Sequence, residues 1–282
     1  MRNQHQRFEK VRLILLRTLS VLIGISGVYI DAARAEVVVS TTQAQISAEG
    51  AVSEKPEPDD GLWVEVEQSQ VLPSDITGVY YLIPYRNRRE NWGSTFSIGY
   101  SSFTPVSYEP NFVASDYKDI YPTAEMPLIE IQYSIKRNLA IGSLGVEAAV
   151  GFYQNKSDSD LIESSIELIP IRLGANLYLD NLWFEPYVVP YVAGGLYTIL
   201  YEESVAAASY GGNTQVAPYM SVGVQAQMNW IDRTAARISH TDYGIENTFI
   251  YIEGRQMMMS QAENDPDFST GFNWGAGMRL EF

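Results

Sequence analysis

The chain has 282 residues, with 19 Lys and Arg against 34 Asp and Glu, and no cysteine. A net charge of -15 makes nucleic acid an unsuitable partner. The lack of thiols excludes disulfides, thiolate metal sites and a cysteine-linked lipid anchor.

At the amino terminus, Arg2, Arg7, Lys10, Arg12 and Arg17 precede an apolar run over 18–30, and Ala33-Arg34-Ala35 supplies small residues around a cleavage site. This pattern predicts a secretory signal peptide over residues 1–35. The run is shorter than the roughly 20 residues a spanning helix needs. Cleavage removes six basic and two acidic side chains, leaving 13 basic against 32 acidic and a net charge of -19.

Residues 36–75 show no sustained period and contain the polar run STTQAQISAEGAVSEKPEPDDG, which reads as a flexible tail or linker. GVYYLIPYRNRREN at 78–91 is a short apolar stretch followed by Arg86, Arg88 and Arg89. Pro84 weakens it as a ladder strand, so we expect it to pack at one mouth of the domain that follows, with Arg86, Arg88 and Arg89 near the lipid headgroups.

From Trp92 onward a period of two recurs, the signature of strands with unlike faces. Segment 92–103 sets Trp92, Phe96, Ile98 and Tyr100 against Gly93, Thr95, Ser97 and Gly99. Segments 126–135, 143–153 and 164–179 alternate in the same way. Segment 185–202 is apolar on both faces, so its phase is open. Segment 218–230 alternates again, residues 234 to about 252 form a seventh segment, and 268–282 form the eighth, ending FNWGAGMRLEF.

Short links after segments two, four and six (KRNLAIG, 180–182 and 231–233) alternate with long ones over 104–125, 154–163, 203–217 and 253–267. An up-and-down sheet therefore has all its tight turns at one end. Segments four and five exceed the roughly 9–11 residues needed to cross a bilayer, so their hairpin should project beyond it.

The second face of these segments is dominated by Gly, Ser, Ala, Asn and Gln, which suits the crowded inside of a narrow barrel. Its isolated charges, Glu130, Glu147, Arg172, Arg237, Arg279 and Glu281, would then need partners in a packed polar interior. The apolar face would meet lipid. Trp92, Trp183 and Trp230 fall at the short-turn edge, where indole suits the headgroup level. Tyr100, Phe152, Tyr197 and Tyr219 would supply the girdle at the other edge.

The alternating last strand closing on Met278-x-Leu280-x-Phe282 resembles the assembly signal of bacterial outer-membrane β-barrel proteins. The stretch from Trp92 to Phe282 is similar to the small eight-stranded type, such as the OmpA membrane domain and OmpX-like barrels, with no motif fixing a subfamily. The resemblance implies an all-β fold, an eight-stranded antiparallel up-and-down barrel over 92–282. It also implies insertion by the barrel-assembly machinery, short turns and both termini of the sheet in the periplasm, and contact with outer-membrane lipids including lipopolysaccharide. Residues 36–91 then form a mostly disordered periplasmic extension. A monomer is expected.

Two sets of residues are candidates for chemistry. His240 and Asp242 lie in RISHTDYGIEN; PagL-like lipid A deacylases place a His and a Ser two residues apart on a late strand, but Asp242 stands at the matching place here. A hydrolase needs a hydroxyl within reach of its base, so no enzyme activity is expected. The acidic loops with Asp158 and Asp160, and with Glu263, Asp265 and Asp267, offer hard oxygen ligands for calcium or magnesium. Neither has a full ligand count, so no cofactor is expected. The leading expectation is a structural or surface-interaction role with a side-chain-filled lumen. The alternatives are transport of a small solute or lipid, and a lipid A-modifying hydrolase at His240.

Overall fold

A computed structural model describes residues 71–73, 80–108, 117–121, 127–157, 164–205, 208–262 and 265–282. The element order is β1 (Val71–Pro73), β2 (Tyr80–Leu82), α1 (Tyr85–Arg88), β3 (Trp92–Ser101), α2 (Tyr117–Ile120), β4 (Leu128–Asn138) and β5 (Ser143–Lys156). Then follow β6 (Ser164–Tyr178), β7 (Val188–Val205), β8 (Ala208–Asn213), β9 (Ala217–Gln227), α3 (Arg233–Tyr243), β10 (Asn247–Met257) and β11 (Asn273–Glu281).

Eight of these strands close on themselves in the order β3-β4-β5-β6-β7-β9-β10-β11, every pair antiparallel. The closing seam joins β11 to β3, with Gly275 opposite Ser101 and Glu281 opposite Thr95. At the end of that seam Phe282 and Ser94 exchange two backbone hydrogen bonds of 2.9 Å. Closure leaves the barrel wall without a free edge, which is the requirement for a sheet surrounded by hydrocarbon.

The alternation decides which face goes where. Ile98, Ile135, Val146, Leu173, Val192, Val222, Ile252 and Met278 are all exposed on the outer wall. Ser97, Ser134, Glu147, Arg172, Tyr191, Gln225, Tyr251 and Arg279 are buried inside. Segment five, whose phase the sequence left open, turns Val189 and Tyr191 inward and Val188 and Val192 outward. An apolar exterior around a polar interior is the reverse of a water-soluble barrel, and lipid is the solvent that suits it.

Small interior residues sit where large ones need room. A Cβ on Gly99 would stand 2.1 Å from the Tyr251 hydroxyl, and one on Gly223 would stand 2.6 Å from the Tyr191 ring. Such pairs of glycine and tyrosine fit ring-sized side chains into a lumen only eight strands wide.

At the long-loop end β6 and β7 run to 15 and 18 residues, and β8 pairs with the outer part of β7. Among the described strands β8 has no second neighbour. The projecting hairpin expected for segments four and five is therefore a three-stranded sheet at its tip.

The seventh segment departs from expectation. Residues 233–243 form helix α3, and the strand begins only at Asn247. Asp232 caps the helix by accepting from the backbone N–H groups of Thr234 and Ala235 at 3.0 and 2.9 Å, and Gly244 ends it with φ of 67°. These are the residue types that start and stop helices. The link between β9 and β10 is thus not a three-residue turn but carries this helix at the short-connection end.

Candidate functional site

Three layers of buried side chains follow one another along the barrel axis. The middle layer is an ion-pair network centred on Glu130 of β4. Its carboxylate accepts from Arg172 of β6, through Nε at 3.0 Å and also through a second guanidinium nitrogen, and from Arg255 of β10 at 3.0 and 2.9 Å. β4 and β10 stand three strands apart around the closed sheet, so these bonds cross the lumen.

Around this centre Glu147 accepts from Gln132 at 2.7 Å, Asn176 at 2.9 Å and the Tyr219 hydroxyl at 2.7 Å. Glu253 pairs with Arg255 and accepts from Tyr191 at 2.9 Å. Arg279 is fully buried in a cage of rings, its guanidinium 5.1, 4.8 and 4.8 Å from the centroids of Tyr178, Tyr191 and Tyr251. It also donates to Ser97 at 2.8 Å and Gln225 at 2.6 Å. A small pocket of about 10 Å³ between Phe103, Leu128, Arg255 and Thr270 has room for about one water.

The outer layer, at the long-loop end, is aromatic. Phe103, Tyr108, Tyr117, Tyr121, Tyr153, Tyr201 and Phe268 are buried together. Tyr108 stacks on Phe268 with centroids 4.3 Å apart and donates to Glu203 at 3.0 Å. The hydroxyls of Tyr117 and Tyr153 lie 2.8 Å apart, and Asn155 donates to both at 3.2 Å. Burial, reinforced by Glu203, pushes the Tyr108 hydroxyl far above its ordinary range, and burial lifts Tyr121 to about 12. These two hydroxyls therefore stay protonated through neutral and mildly alkaline conditions.

The inner layer lies at the short-connection mouth. Lys136 of β4 contacts Asp180 at 2.7 Å and Glu281 at 2.5 Å, and Asn247 donates to Glu281 at 2.8 Å. The chain preceding β3 enters this layer. Arg88 pairs with Glu246 at 2.8 Å and Arg89 with Asp180 at 3.4 Å, while Arg86 donates to the Asn181 carbonyl at 3.2 Å. Arg88 and Arg89 thus bind barrel carboxylates and do not face outward to headgroups.

The structure places the other sequence candidates as follows. Glu130, Glu147, Arg172, Arg279 and Glu281 all face the interior. Arg237 does not: it is half-buried on α3, outside the barrel wall. Lys136, Glu253 and Arg255 are further interior charges and were missed, because the predicted strands stopped at 135 and 252, one residue before each group begins; Glu203 of β7 is another, and it lies in what was read as a long link. Trp92, Trp183 and Trp230 are exposed at the short-connection end. On the far side Tyr100 is exposed, but Tyr197 and Tyr219 point inward and are buried, so they are no part of an outer girdle. Trp274, exposed and edge-on to Phe272, stands toward the long-loop end instead. Met278 is exposed on the outer wall, with Leu280 and Phe282 half-buried.

His240 and Asp242 sit on α3, not on a late strand of the wall. His240 lies 3.2 Å from Glu246, and Asp242 is exposed beside Thr241, whose hydroxyl it accepts at 3.1 Å. A hydrolase site in the wall of β10 is therefore not what these residues build. Asp158, Asp160 and Glu263 lie outside the described residues. Asp265 accepts from Gln215 N–H at 3.0 Å and from the Ser260 hydroxyl, and Asp267 accepts from Ser269 N–H at 2.8 Å. Both act as loop caps, and the described residues hold no cluster of three or more His, Asp or Glu fit for a metal ion.

No protein-family model matches the sequence, and no curated protein does. Among solved structures, the crystal structure of Ail, the attachment invasion locus protein of Yersinia pestis, aligns at 14% identity and a TM-score of 0.37, over 69% of this chain and 100% of that one. Neisserial surface protein A aligns at 11% identity and a TM-score of 0.35, over 68% and 98%. The translocator domain of autotransporter NalP from Neisseria meningitidis aligns at 12% and 0.33, over 70% and 90%. By its own closed topology, strand count and outward apolar face, the chain is an eight-stranded antiparallel β-barrel with an apolar outer wall.

Proposed function

We propose that the protein is an integral outer-membrane barrel whose lumen is closed by its own side chains and whose work is done at the surface, as envelope structure, adhesion or loop-mediated recognition, without enzymatic activity. The observation that carries this reading is the Glu130 centre, where bonds to Arg172 and Arg255 tie β4 to β6 and β10 across the lumen. A conducting barrel of this width would have to break those bonds, leaving charges buried and unpaired. What remains for interaction is the long-loop end, where β6, β7 and β8 project.

In this reading the short connections and both ends of the sheet face the periplasm, and the long loops face outward. Outer-membrane lipids, lipopolysaccharide among them, cover the apolar wall, and the barrel-assembly machinery engages β11 through Met278, Leu280 and Phe282.

The absence of native cysteine makes orientation directly measurable. On intact cells a bulky polyethylene-glycol maleimide should label Tyr210→Cys, and should reach Trp183→Cys only after the outer membrane is permeabilised. The reverse pattern would overturn the orientation. Large, stable conductance steps from the purified protein in planar bilayers would overturn the closed lumen.

A further inference from the structure

The short-connection mouth is rich in carboxylates that the barrel alone does not neutralise. Asp180, Glu185, Glu246 and Glu281 converge there, and Asp180 and Glu281 are almost fully buried. Lys136 of β4 is shared between Asp180 and Glu281, and His240 of α3 lies 3.2 Å from Glu246.

The segment Tyr85–Asn91 meets every part of this surface. Tyr85, 1% exposed, donates its hydroxyl to Glu281 at 2.5 Å, and its backbone N–H donates to Glu185 at 3.0 Å. Arg88, also buried, donates to the Glu246 carboxylate at 2.8 Å and carbonyl at 3.0 Å, and lies 3.5 Å from Glu185. Arg89 reaches Asp180, the Gly142 carbonyl at 3.1 Å and the Ser143 hydroxyl at 3.2 Å. Both guanidiniums stand about 5.5 Å from the centre of the Tyr85 ring. Asn138 donates to the carbonyls of Glu90 and Asn91 at 2.7 and 2.8 Å. The segment thus touches all three links at this end as well as β4 and β11.

We infer that this mouth is a built binding site for a cationic, tyrosine-bearing segment, and that its occupant is the chain's own Tyr85–Arg89, which latches the amino-terminal extension into the barrel. The chemistry is matched on both sides. The Arg88 guanidinium meets Glu185 and Glu246, that of Arg89 meets Asp180, and the tyrosine hydroxyl completes the shell of Glu281. Burial, with Glu281 and Asp180 nearby, pushes that hydroxyl well above its ordinary range, so it remains a donor. The extension therefore leaves the molecule at a fixed point beside the three links. This inference does not depend on which side of the membrane the mouth faces.

Trypsin tests the latch directly, because Arg86, Arg88 and Arg89 are its own cleavage sites. The full mature chain, folded in detergent, is digested and the cuts in this segment are timed by intact mass, with heat-modifiable gel mobility confirming the barrel. The native chain should be cut there at least tenfold more slowly than a free peptide of residues 80–92. Glu185→Gln with Glu246→Gln should remove most of that protection while leaving the barrel folded. The exchanged pair Arg88→Glu with Glu246→Arg should restore protection at Arg86 and Arg89 relative to Arg88→Glu alone. Cleavage of the native chain at the peptide's rate, or protection unchanged in the Glu185→Gln/Glu246→Gln chain, would overturn the proposal.

Discussion

Glu130→Gln is the substitution that most directly probes the proposed closure of the lumen. In the native barrel its carboxylate takes four hydrogen bonds from two guanidiniums, on strands from different sides of the sheet. The middle layer holds Glu130, Glu147 and Glu253 against Arg172, Arg255 and Arg279, so the charges balance. The substitution keeps shape and removes one negative charge, leaving a buried excess of one positive. Arg172 would retain Glu147 at 3.4 Å, and Arg255 would retain Glu253. Breaking a buried pair by removing one partner costs about 3–5 kcal/mol, and we expect a loss in that range. The assay is urea unfolding in lipid vesicles, followed by tryptophan fluorescence and by heat-modifiable mobility. Adding Arg255→Gln to Glu130→Gln removes the unpaired cation, so the double variant should lose less than the two single losses added together. A single loss below about 1 kcal/mol, with additive behaviour in the pair, would mean that these charges are hydrated and the lumen is wet.

Two further predictions test the wall and the packing behind it. Leu173→Arg places a charge on an exposed outer-face position in the interior of β6, opposite Ala148 and Leu196; it should cost about 2–4 kcal/mol in vesicles, and equal stability of native and variant chains would argue that lipid does not cover this face. Gly277→Ala puts a Cβ 2.3 Å from the Ile98 carbonyl oxygen and 2.6 Å from Gly99 Cα, across the closing seam, whereas Gly271→Ala meets nothing within 4 Å. Folding yield in detergent should therefore fall for the first and stay native for the second; equal yields would show that the seam has slack.

Much of the barrel was legible because its signal is local. A strand with unlike faces announces itself at every second residue, and the uneven link lengths identified the end that carries short connections. The strand limits were less secure, and each error at a limit had a consequence. Stopping at 135 and 252 left Lys136, Glu253 and Arg255 out of the interior. Reading 234–252 as one strand put Arg237 inside and His240 on the wall. Asp232 and Gly244 were the available warnings, twelve residues apart and suited to cap a helix between them.

The sequence by itself determined the period, most of the strand-forming segments, the small and polar character of one face and five of the charges that face carries, since these depend only on neighbours along the chain. Which glutamate meets which arginine, that Arg88 and Arg89 turn inward to carboxylates, and that Tyr197 and Tyr219 point into the barrel were decided only by closure of β11 onto β3. Closure fixes which side chains confront one another across the lumen. Those pairs are separated by as many as 196 residues in the chain, as Tyr85 and Glu281 are, and no local pattern encodes such a meeting.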